Sequence, residues 1–70
     1  MKIGMLWYDA SPSLVGLQRA VDYYAQKYGE SPTICQVHPS TAAKLAGEIE
    51  GLEIRQVKNV LPDHYWLGVE

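Results

Sequence analysis

Leu14, Leu17, Val21, Tyr24, Ala25 and Tyr28 recur at steps of three, four, three, one and three residues, which makes one side of a helix apolar over about four turns. Gln18, Arg19, Asp22, Gln26 and Lys27 occupy the other side, and Gly29 follows as a left-handed stop. Upstream, Asp9-Ala10-Ser11-Pro12-Ser13 offers two ways to begin. Ser11 caps with Pro12 in the first helical position, or Ser13 caps one step later. The pattern predicts a helix over 12–28. A helix with a single apolar stripe needs a surface to lie on, and in a chain of 70 residues that surface has to come from the flanking segments. Tyr23 lies off the stripe, one turn from both Arg19 and Lys27, as a residue their stems cover or as an interface residue.

Those segments read as strands. Over Lys2–Tyr8, Ile3, Met5 and Trp7 alternate with Gly4, Leu6 and Tyr8, and both sets carry apolar residues, as in a strand covered on both faces. Thr33–His38, with Ile34 and Val37, reads as a second strand. Pro39-Ser40-Thr41 opens a short helix over Ala42–Ala46, closed by Gly47, with Leu45 and Ile49 turned to the core. Leu52 and Ile54 alternate with Glu53 and Arg55 in a half-buried third strand reaching Val57. His64–Val69, with Tyr65, Leu67 and Val69 on one side and His64, Trp66 and Gly68 on the other, forms a fourth. The expected fold is α/β, a small β-α-β-α-β-β mixed sheet with one long helix packed on one face, in a single domain over residues 1–70. The first two strands are expected to be parallel neighbours joined by the long helix, and the fourth to pair antiparallel with the third. Two helices cannot cover both faces of four strands, so part of one face, holding Trp7 or Trp66, is expected to be exposed or to be covered by another subunit.

Composition bounds the function classes. At 47% apolar and 20% charged residues the chain reads as globular. Its net charge of −2, with Lys2, Arg19, Lys27, Lys44, Arg55 and Lys58 scattered along it, weighs against phosphate neutralisation and so against nucleic acid as partner. Glu48, Glu50 and Glu53 read as a solvated loop. No apolar run approaches the roughly 20 residues that span a bilayer, and the first residues lack the pattern of a signal peptide. With a single Cys, this predicts a cytoplasmic location and no membrane association. Cys35, His38 and His64 follow no zinc spacing, and no metal or cofactor is expected. Asp63 and His64 adjoin and would hold a metal only together with a second subunit; a turn Asp after Pro62 is the structural expectation.

If the first two strands were neighbours, the loops leaving their carboxyl ends would bring together Asp9, Ser11, Ser13, His38, Ser40 and Thr41. Open α/β sheets bind ligands at such a place, and helix N-termini there favour an anion. The same residue types are ordinary helix caps. Asp9, His38 and Ser40 are the residue types of a nucleophilic triad, but no strained nucleophile turn accompanies them, so no catalytic residue is assigned. Cys35, between Ile34 and Val37 with no basic neighbour, reads as a buried structural thiol. The aromatic residues are all Tyr and Trp, the types that suit half-buried interface positions. Trp7, Tyr23, Tyr65, Trp66 and Leu67 are the expected interface set.

Ser31-Pro-Thr-Ile-Cys-Gln-Val-His-Pro-Ser-Thr-Ala-Ala-Lys-Leu, then Gly51-Leu-Glu-Ile-Arg-Gln-Val and Leu61-Pro-Asp-His-Tyr-Trp-Leu-Gly, resemble a segment of the tailed-phage capsid and encapsulin fold, over about residues 14–68. In that fold a long helix leads into a Pro-Thr-containing strand, a strand-end Pro, a short helix and further strands. The resemblance implies a phage- or prophage-derived piece that associates with itself or a partner. It implies no enzyme and carries over no functional residue, and the extended arm and loop of a capsid subunit have no counterpart here. The expected function is a non-catalytic binding or assembly module, a homo-oligomer or protein binder, using an uncovered sheet face or the last strand's edge. The alternative is a small-ligand or anion binder at the loops after the first two strands.

Overall fold

A computed structural model describes residues 4–70, so the predicted beginning of the first strand at Lys2 lies outside the described residues. The elements are β1 (Gly4–Tyr8), α1 (Leu14–Tyr28), β2 (Ile34–Val37), α2 (Pro39–Ala42), β3 (Glu53–Gln56) and β4 (His64–Gly68). α1 begins two residues later than predicted because Ser13 is the cap. The Ser13 side chain accepts from Gly16 N, and at the other end Gly29 takes the left-handed conformation (φ 77°) and donates to Ala25 O.

The strands form one mixed sheet in the order β1-β4-β2-β3. β4 is antiparallel to β1 (Met5 opposite Leu67, Trp7 opposite Tyr65) and to β2 (Cys35 opposite Leu67), while β3 runs parallel to β2 (Cys35 opposite Ile54). Two pairings differ from expectation. β1 and β2 run in the same sense, as predicted, but β4 separates them, and β4 does not pair with β3. Charge and burial give the reason. β4 carries no carboxylate, Lys or Arg, and its Tyr65 and Leu67 are fully buried, as a central strand requires. β3 carries Glu53 and Arg55 on one side, alternating with Ile54, and an outer strand accommodates those charges in water.

α1 lies on one face of this sheet. Leu17, Ala20, Val21 and Tyr24 meet Met5, Cys35, Val37, Tyr65 and Leu67, with Leu52 closing the cluster. Leu45 and Ile49 pack against it as predicted. α2 is a single turn that starts at Pro39, ahead of the predicted Ala42–Ala46. Proline's fixed φ suits the first helical position, and His38 Nδ1 accepts from Ser40 N at 3.1 Å, so the turn is capped before Ala42 is reached.

Because β3 is an outer strand and β4 lies beyond β2, the connecting residues 57–63 pass across the sheet. Val60 tucks in at 9% exposure. The crossing ends on Asp63, in the left-handed region (φ 63°) that Asp tolerates better than most residues. Its N–H donates to the Oγ1 of fully buried Thr41 (2.8 Å), its carbonyl accepts from Asp9 N (2.9 Å), and its carboxylate pairs with Lys44 (3.1 Å).

Candidate functional site

The carboxyl ends of β1 and β2 lie at the same end of the sheet, with the start of β4 between them. The predicted ligand residues are therefore held in separate groups. Asp9 joins Ser11 and Ser13 around the Tyr65 hydroxyl. Tyr65 donates to Asp9 Oδ2 (2.8 Å), Ser13 N donates to Tyr65 Oη (3.3 Å), and Ser11 N donates to Asp9 Oδ1 (3.1 Å). Burial, then the bond to Asp9, holds the Tyr65 phenol well above its ordinary range. His38 and Ser40 form a second group, with Ser40 Oγ 2.8 Å from the same Nδ1 that caps the turn. Thr41 serves Asp63. The Asp9 carboxylate bonds to Ser11 and Tyr65 while the His38 ring bonds to Ser40, with no Asp9–His38 hydrogen bond among the described residues, so Asp9, His38 and Ser40 form no triad. Among the described residues no group of three or more His, Cys, Asp or Glu is arranged to hold a metal.

The Asp9 cluster explains one glycine. A methyl group at Gly16 would collide with Asp9 Oδ2. Gly16→Ala in the intact chain is expected to destabilise by about 1 kcal/mol, because loss of the part-buried Tyr65–Asp9 bond outweighs the gain of about 1 kcal/mol in helix propensity. In an Asp9→Ala background only the propensity remains, and the same substitution is expected to stabilise by about 1 kcal/mol. Urea unfolding of the four variants measures this. The same sign in both backgrounds would contradict the contact.

The second candidate is the sheet face opposite α1. There Leu6 of β1, Gln36 of β2 and Trp66 of β4 form the floor of a groove of about 430 Å³, walled by Asn59, Val60 and Leu61 of the crossing segment. Tyr8 continues it, its ring 5.1 Å from that of His64. The apolar groups are exposed: Leu6 by 49%, Tyr8 by 62%, Leu61 by 65% and Trp66 by 36%. The Trp66 indole lies across Gly4, where a Cβ would come within 2.7 Å of Cζ2. The other half of this face is different: Ile34 is buried, and Arg55 binds Glu53 (2.6 Å) and Glu70 (2.8 Å) on the surface. The exposed apolar surface of this face therefore lies at its β1–β4 end.

Of the predicted interface set, Trp66 lies on this face. Trp7 and Tyr23 pack at a tilt on the helix side with centroids 5.1 Å apart, Tyr23 remaining 47% exposed. Tyr65 and Leu67 are corrected: both are fully buried in the core, because odd-numbered residues of β4 turn towards α1. The expected last-strand edge is corrected as well, since β4 is interior and the free edges belong to β1 and β3. Leu6, Tyr8 and Leu61, outside the predicted set, also lie on the face opposite α1. The period-two alternation separated Leu6 and Tyr8 from Met5 and Trp7 but gave no sign of which set faces the helix. Leu61 lies in the crossing segment, where no periodicity marks a face. Compared with protein-family models, curated proteins and solved structures, the chain matches none.

Proposed function

We propose that the chain is a non-catalytic assembly module that associates with copies of itself through the β1–β4 end of the uncovered sheet face. The observation that carries this reading is the placement of Leu6, Tyr8, Leu61 and Trp66 as one exposed apolar patch beside a free strand edge. The polar rim at the strand ends favours a ligand less, because its side chains already bond to one another and to the backbone. Light scattering over about 10 µM to 1 mM is the test, a range suited to a small interface. The mass is expected to rise from 7.8 kDa towards twice that value. Leu61→Asp, at an exposed position, is expected to weaken association at least about tenfold while leaving the urea midpoint unchanged. A chain that stays monomeric throughout overturns the reading.

A further inference from the structure

The two free edges of the sheet are built differently. β3 presents Glu53 and Arg55, the latter also bound to Glu70, which is how natural edges are guarded against pairing. β1 has no charged side chain between Gly4 and Tyr8, no proline and two exposed apolar residues. Its backbone is also poised to pair. Asp9 N donates to Asp63 O, one step beyond the Tyr8–His64 pair, so the odd-numbered positions of β1 direct their N–H and C=O to β4. By the antiparallel alternation, Gly4, Leu6 and Tyr8 turn theirs outward.

We infer that β1 pairs antiparallel with β1 of a second copy, with Leu6 on the two-fold axis, making one continuous sheet from two chains. This deepens the assembly reading and rests on it. An isologous edge must complement itself, and this one does. In the Leu6-centred register the outward groups of Gly4 meet those of the partner's Tyr8, and the two Leu6 residues exchange both bonds. Side chains agree with the backbone: glycine faces tyrosine, and the partner's Tyr8 arrives beside the Trp66 indole that already lies over Gly4. No like charges are brought opposite one another.

Area also argues for edge pairing. A standard interface takes about 800 Å² from each partner, about a fifth of the 4299 Å² this chain exposes. At 62% and 49% exposure, Tyr8 and Leu6 offer on the order of 100 Å² each, and Trp66 adds a similar amount, so side chains alone supply roughly a third of the need. Main-chain burial and bonding along the edge make up part of the remainder, which fits a weak, reversible dimer.

Two measurements test the register. In the unmodified chain, amide exchange followed by NMR should show Leu6 and Tyr8 protected in the most concentrated sample and exposed in the most dilute, by at least about tenfold in rate. Leu6→Pro removes an N–H that the monomer leaves unbonded, so it should retain a cooperative urea transition and dimerise at least about tenfold more weakly. If the mass doubles while those amides stay equally exposed at all concentrations, the edge pairing is wrong and the assembly reading survives. If the mass never doubles, both fall. Should Leu6→Pro not fold, the amide measurement alone decides.

Discussion

Leu67→Ala is expected to cost about 2–5 kcal/mol, whereas Leu6→Ala, on the same sheet but with its side chain 49% exposed, should change stability far less. Leu67 is fully buried at the centre of the sheet, opposite both Met5 and Cys35 and beneath α1. Truncation there leaves a hole that strands on both sides must close over, and hydrogen bonding fixes their spacing. A domain of this length has roughly 4–10 kcal/mol of stability, so the loss removes a large fraction. With a urea slope of about 1 kcal/mol/M, the midpoint should fall by about 2 M or more. Equal effects of the two substitutions would contradict the central position of β4.

Alkali is expected to unfold the protein by a separate route. Burial pushes the Cys35 thiol up from its ordinary 9.0 to about 12. Tyr65 is raised by burial and then by its bond to Asp9, and Tyr24 by burial and then by the charges of Glu30 and Tyr28. All three groups lie in the core and are protonated there. Their folded values exceed the unfolded ones, so each contributes stability that is complete below its ordinary value and is lost as pH rises towards its folded one; for Cys35 the loss runs from about pH 9 to 12. For Cys35 alone the rise corresponds to about 4 kcal/mol by pH 12. Thermal unfolding followed by circular dichroism should show a falling midpoint above pH 9. Cys35→Ala should retain more of its neutral-pH stability at pH 11 than the parent chain. A midpoint constant from about pH 8 to 12 would contradict the burial of these groups.

The elements themselves were legible in the sequence, and the order of the strands was not. α1 could be read because its stripe obeys a single period and because Ser13 and Gly29 are strong local signals. The pairing of β1 with β4 joins residues far apart in the chain, and no local pattern encodes it. A usable sign did exist: Glu53 and Arg55 mark β3 as an outer strand, while the run from His64 to Gly68, without Asp, Glu, Lys or Arg, suits an inner one. Adjacency in sequence suggests that the third and fourth strands pair instead, but the crossing residues 57–63 are long enough to pass over β2. The same error put the rim residues into one pocket. Asp9 and His38 do stand at one end of the sheet, but Tyr65 and Asp63 rise between them and take up Asp9 and Thr41. The use of Tyr and Trp in place of Phe does not distinguish Trp66 and Tyr23, which are exposed, from Tyr65, whose hydroxyl finds its partners inside the fold.

The slot between β1 and β2 also has a consequence in time. As the ribosome releases the chain, the first three strands emerge before the one that joins them, so β1 has no neighbour to bond until residues 64–68 are free. The nascent chain up to residue 56 thus carries an open seam between β1 and β2, and a cooperative fold has to wait for the late strand to be threaded into place.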